Sequence, residues 1–244
     1  MASFDGSEST VKSDKYRSHI YGEGEKNTVW RFGGPPNYDV VNKLFEEGRT
    51  QVWEEGSPEE KVQRLLKTWE MEIFHKVRLE DFKTLDPEKY TFSLNGRPPQ
   101  SMQDLMKLGG YNVLLQTSLP EHLRGYNPST ETTESSHSLF TGTFPRGFAI
   151  EIIQVYSGPP TIMYKFRHWA YMEGPFKGRA PTGEKVQFHG IGMFQVDDAM
   201  KVEKVELFYD PGELLGPLLK GPKLDGSDAS TTSSPGGCPF IPNY

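Results

Sequence analysis

The stretch from Thr161 to Asp198 constrains this chain more than any other. It reads TIMYKFRHWAYMEGPFKGRAPTGEKVQFHGIGMFQVDD, two long alternating patterns around a Gly/Pro loop. Alternation with period two marks a strand with two unlike faces. In the first pattern Ile162, Tyr164, Phe166, His168, Ala170 and Met172 share one side, and Met163, Lys165, Arg167, Trp169, Tyr171 and Glu173 the other. The first set is the more apolar and is expected to face a core. Gly190 and Gly192 in the second pattern predict a bend or bulge. Strands this long and aromatic can curve into a half-cone, and a half-cone roofed by helices encloses a pocket.

Helical signals supply the roof. Ser57 can cap, Pro58 suits a first helical position, and Glu60 completes a capping box. Val62, Leu65, Leu66, Trp69, Ile73, Phe74 and Val77 follow at helical spacing, predicting a helix of about five turns. Leu79, Phe82 and Leu85 predict a short second helix. Tyr90 to Leu94 alternates and ends in Asn95-Gly96, a hairpin-type turn. Ser101 caps a third helix, and residues 121–138 read as a long polar loop. Strands are expected at 144–156, 160–174, 185–197 and 202–209, with a last helix from Glu213 to Leu218. Helices segregated from a mainly antiparallel curved sheet make an α+β fold.

The 244 residues carry a formal charge of −6, one cysteine (Cys238) and no basic run. Nucleic-acid binding needs a positive footprint, which this chain lacks. No intrachain disulfide can form, and no segment approaches the length of a membrane helix. A cytoplasmic protein is the expectation. Four segments are read along it: a flexible tail over 1–28, an arm over 29–56 lying on the core, the main domain over 57–220, and a disordered tail over 221–244. Trp30, Phe32, Tyr38, Val40, Val41, Leu44 and Phe45 form the arm's apolar cluster, and Val41, Leu44, Phe45 and Val52 are spaced for a helix face interrupted by Gly48.

Several residues are candidates for chemistry. His168, on the apolar strand face between Phe166 and Ala170, is either a proton donor and acceptor near neutrality or a satisfied core histidine. His189 is turned inward or outward by the expected bulge. His75 ends the strongest helix, where its charge is expected to stabilise the C-terminus. Trp69, Tyr111, Tyr164, Phe166, Phe188 and Phe194 are placed either to line one cavity or to fill the core. Metal and nucleotide motifs are absent, and no cofactor is expected.

The capped helix before FHK, the FSLNGRPP turn, the GPFKGRAPTGEKV loop and the VEKVELFYDPGELLGPL ending resemble the nuclear-transport-factor-2-like, or SnoaL-like, superfamily. FPRGFAIEIIQVYSGPP, YKFRHWAYMEGPFKG and WRFGGPPNYDVVNKLFEEGRT resemble, more narrowly, the plant pathogen-related group, over roughly residues 14 to 220. The resemblance implies a cone of the cystatin-like roll type with helices on its concave side. It also implies a pocket that in other members serves cyclases, isomerases, hydratases or inert binders. Asp210 resembles the position of an acid/base aspartate in some SnoaL-like cyclases; its own sequence, DPGE, reads first as a helix N-cap. Three functions follow as expectations: binding of a small hydrophobic metabolite in a stress- or pathogen-linked role, acid–base catalysis through His168 and Asp210, or an interaction role. The last includes a homodimer through the outer face at Lys165, Arg167, Trp169 and Tyr171, with the WRFGGPP arm as rival occupant.

Overall fold

The computed structural model describes residues 12–224, so Cys238 and most of the expected C-terminal tail lie outside it. Helix α1 (Asp39–Gly48) precedes α2 (Pro58–His75), and a hairpin of β1 (Thr91–Leu94) and β2 (Gln100–Ser101) follows. Then come α3 (Met102–Leu108), α4 (Gly110–Leu114) and α5 (Thr133–Thr143). The chain closes with β3 (Ala149–Ser157), β4 (Thr161–Tyr171), β5 (Lys185–Val196), β6 (Val202–Tyr209) and α6 (Pro211–Leu218). The six strands run in the order β2-β1-β6-β5-β4-β3 in one curved, unclosed sheet. Only the β1–β6 pairing is parallel. The expected α+β fold with a mainly antiparallel curved sheet is the one observed.

Helix α2 forms where its signals lie. Ser57 accepts from the Glu60 amide, and Pro58 opens the first turn. Its buried positions include Val62, Leu66, Trp69 and Met71. At the far end, burial pushes His75 down to about pH 3 in pKa. The expected charge at the helix C-terminus is therefore corrected: this imidazole is neutral near pH 7, because it is half-buried among the rings of Phe32, Tyr38 and His137. Lys76 caps that end through its backbone.

Three local expectations differ from the structure. The helix expected at Leu79 to Leu85 is a single 3-10 turn, Leu79–Asp81. The polar loop over 121–138 contains the start of α5, entered through a Thr132–Ser135 capping box. Its sequence, TESSHSLFTGT, has poor intrinsic helicity. What holds it is burial of Ser136, Phe140 and Thr143. Third, Gly190 and Gly192 make no bulge. They pair in unbroken register with Phe166 and Tyr164. A Cβ at Gly190 would stand 2.4 Å from Phe166 Cζ, and one at Gly192 2.3 Å from Tyr164 Cζ. Here glycine serves close approach by a neighbouring strand's ring.

The outer face of the sheet is partly covered. Trp169 is fully buried, packed with Leu44, Phe45 and Ala149 under α1. Phe45 stacks on its indole at 6.1 Å between centroids. Arg167 pairs with the buried Glu151 at 2.7 Å, and Glu151 accepts from the Thr50 amide at 2.7 Å. So α1 and the segment after it, not WRFGGPP, occupy this part of the face. Val40, expected in the arm's apolar cluster, is 58% exposed, and Val52, expected on its helix face, lies beyond the end of α1 and is 72% exposed. Residues before the arm are also packed: Arg17, Ile20 and Glu25 are buried.

Candidate ligand-binding site

A cavity of about 500 Å³ lies between the concave face of the sheet and the helices. Its floor is Ile150 of β3, Phe166 and His168 of β4, Phe188 of β5, and Leu207 and Tyr209 of β6. Its roof is Leu66, Trp69, Glu70, Phe74 and His75 of α2, with Tyr111 and Leu114 of α4. Phe32, Pro35, Pro36, Tyr38 and Val41, from the arm, and Pro145 to Phe148 complete the wall. Thus the WRFGGPP segment lies at the cavity, on the opposite side of the sheet from its expected place.

Four of the six expected lining residues, Trp69, Tyr111, Phe166 and Phe188, do line it. Tyr164 and Phe194 do not; both are fully buried beyond it. The Phe194 ring packs 5.1 Å from Tyr164 and 5.6 Å from Trp69, so these rings fill the core beside the cavity. Tyr164 Oη is buried there without a hydrogen-bond partner. At the other end, Phe32 stacks on His137 at 4.0 Å and meets His75 edge-on at 5.6 Å.

The two expected chemical residues separate. Asp210 is exposed and absent from the cavity wall; its carboxylate accepts from the Gly212 amide at 2.7 Å and caps α6. Its expected acid/base role is not matched by its position. His168 lines the cavity, among the rings of Phe148 (4.7 Å), Phe188 (5.2 Å) and Phe166 (5.8 Å). Its Nδ1 lies 3.1 Å from the Ala149 carbonyl oxygen. Burial pushes its pKa down to about 3, so the ring is neutral near pH 7. His189 faces outward and is exposed.

A carboxylate does reach His168, from a residue the sequence analysis passed over. Glu70 Oε1 stands 3.7 Å from His168 Nε2. Burial pushes the Glu70 pKa up to about 7, against the pull of Arg17 and Lys67. Its side chain keeps 24% of its surface open. A signal was present: Leu66, Glu70 and Phe74 are four apart, so the acid falls within the apolar stripe of α2. Arg17 also lines the cavity, lying 3.6 Å over the Tyr38 ring and donating to Asn42 Oδ1 at 2.8 Å. Among the described residues, no group of three or more His, Cys, Asp or Glu is gathered for a metal.

Fold and site together define an α+β protein with an aromatic-walled cavity between sheet and helices and, among the described residues, an acid–imidazole pair across its floor and roof. A barley (Hordeum vulgare) protein described as a pathogen-related protein is 54% identical over 243 residues, 99% of this chain and 98% of that one. The chain belongs to the pathogen-related protein family. No family model matches it. Among solved structures, a protein described as a SnoaL-like polyketide cyclase from a Jannaschia species is 14% identical, covering 75% of this chain and 92% of that one at a TM-score of 0.35. A protein described as a polyketide cyclase from Acidithiobacillus ferrooxidans is 12% identical, covering 70% and 100% at a TM-score of 0.38. Likeness at that level carries nothing about substrate or chemistry. No helix among the described residues is long and apolar enough to cross a membrane.

Proposed function

We propose that this protein binds a small hydrophobic metabolite in the cavity between α2 and the sheet, as a cytoplasmic stress- or pathogen-associated protein without robust catalysis of its own. The observation that carries this reading is the cavity: about 500 Å³, with walls mostly aromatic and aliphatic. Small-molecule sites are commonly of this size and composition, with few polar groups fixing orientation. The description of the barley relative supports the setting. The test is a thermal-shift screen against terpenoids, phenolics and sterols, repeated with Leu66→Trp to fill the roof. A saturable rise in Tm that the filled variant loses supports binding. No rise with any class counts against it.

A second reading rests on a different observation, the Glu70–His168 pair. A carboxyl with a pKa near 7 beside a neutral imidazole is equipped to give and take protons, as an isomerase, cyclase or hydratase would need for a polyketide-, terpenoid- or steroid-like substrate. In this reading Glu70 takes the partner role first assigned to Asp210. With a turned-over substrate in hand, Glu70→Gln should lower kcat by roughly 10²–10⁴. An unchanged kcat removes the acid–base reading.

For an interaction role or a homodimer, the available surface is the outer face that α1 leaves open, near Met163 (40% exposed) and Phe208 (45% exposed). Sedimentation over a wide concentration range tests it: a dimer that Met163→Lys dissociates supports it, and a monomer throughout counts against it.

A further inference from the structure

We infer that the cavity selects ligands whose polar end is a hydroxyl, held between His168 Nε2 and the Glu70 carboxyl. The inference rests on the binding reading above and adds the chemical class of the ligand.

The argument starts at the other imidazole nitrogen. His168 Nδ1 is 3.1 Å from the Ala149 carbonyl oxygen. A carbonyl only accepts, so Nδ1 carries the hydrogen. The ring is wedged among Phe148, Phe166 and Phe188, surroundings that disfavour a second proton. Nε2 is then a bare lone pair, an acceptor turned toward Glu70. The separation from Oε1, 3.7 Å, is longer than a hydrogen bond and leaves both groups able to engage a third atom.

That atom must satisfy two unlike neighbours. Nε2 needs a donor. The protonated Glu70 carboxyl offers a donor, and its ionised form needs one. A hydroxyl donates its one hydrogen to Nε2 and accepts from the protonated Glu70 carboxyl through the same oxygen, whereas the ionised carboxylate would compete with Nε2 for that hydrogen. An ether or ketone leaves Nε2 unpaired, and an unpaired buried acceptor is costly. A ligand carboxylate meets a lone pair and a second acid.

The rival is Arg17, whose Nε is buried without a partner. Its guanidinium is already engaged by Asn42, by Asp14 at 3.6 Å and by the Tyr38 ring. Lys67, the other cation acting on Glu70, has its ammonium 3.2 Å from the centre of the Phe45 ring. Tyr38 and Tyr111 also line the space, and burial raises both phenols, so they stay neutral.

The test is titration calorimetry at pH 6, where Glu70 holds its proton, with matched probes on two skeletons. These are 2-naphthol, 2-methoxynaphthalene and 2-naphthoic acid, and farnesol, its methyl ether and farnesoic acid. The alcohol should bind on the order of tenfold to a hundredfold tighter than the ether or the acid on at least one skeleton. Glu70→Leu and His168→Phe should each erase that preference, while Glu70→Gln, whose amide both donates and accepts, keeps it. Equal affinity within both series overturns the hydroxyl assignment and leaves apolar binding standing. Tightest binding by the acid overturns it in favour of Arg17. No binding by any probe takes down this inference and the binding reading together. Should a variant fail to fold, the ranking on the wild-type protein still decides.

Discussion

The indole of Trp169 lies against Gly48, so close that a Cβ on that glycine would stand 2.6 Å from Nε1. This contact seats α1 on the sheet and removes a tryptophan from the face on which a partner was expected to dock. Adding a methyl there forces the helix off the indole. Overpacking in Gly48→Ala should cost about 1–3 kcal/mol against at most roughly 1 kcal/mol gained in helix propensity, a net loss of up to about 2 kcal/mol. Chemical denaturation reads the outcome, and a variant as stable as wild type would show that α1 shifts at no cost.

Lys76 is fully buried and paired with Glu72 at 2.9 Å and Glu25 at 3.0 Å. Glu72 also accepts from the amides of Lys83 and Thr84. Lys76→Ala strands two carboxylates away from water, and a loss of about 3–5 kcal/mol is expected. Urea unfolding monitored by tryptophan fluorescence measures it. A loss below about 1 kcal/mol would mean that water reaches the cluster.

Tyr164 carries a buried hydroxyl with no partner, next to Phe194 and opposite Gly192. Tyr164→Phe removes an unsatisfied polar atom and keeps the ring. Stability should stay level or rise by about 1 kcal/mol. A clear drop in Tm would reveal an internal water or another partner on that oxygen.

The acid pair makes stability depend on pH in two opposed ways. Glu70 is raised from 4.5 to about 7 in the folded chain, so the native state holds its proton more tightly than the unfolded chain. That contribution is complete below about pH 4.5 and is lost as pH rises to 7. His168 is lowered from 6.5 to about 3, so its contribution is present above pH 6.5 and is lost as pH falls toward 3. Glu70→Gln should therefore exceed wild-type stability above pH 7, by up to about 3 kcal/mol. Denaturation midpoints at pH 5, 6, 7 and 8 check the sign; a variant that gains nothing at pH 8 would place Glu70 in contact with water.

The elements whose residues carry a period were readable in advance. Strands β4 and β5 alternate, α2 repeats its apolar positions, and Ser57, Ser101 and Asp210 cap helices where caps were read. Helix α5 was not readable, because Thr133 to Thr143 is helical through the burial of Phe140 and not through propensity. The same division runs through the site. His168, Trp69 and Phe166 fall on predicted inward faces and line the cavity, as do Tyr111 and Phe188, read in advance as lining or core residues. Tyr164 shares the inward face of β4 yet is packed solid with Phe194, since alternation sets direction and not depth.

Local sequence thus determined which way each side chain of the sheet and of α2 points, because backbone periodicity is a property of neighbours along the chain. Tertiary structure alone decided what meets inside. The approach of Glu70 to His168, ninety-eight residues apart in sequence, depends on how α2 crosses the sheet. The path of the arm, with Phe32 beside the cavity and Phe45 on the opposite face of the sheet, depends on packing against Trp169 and His137, which no repeat within the arm encodes.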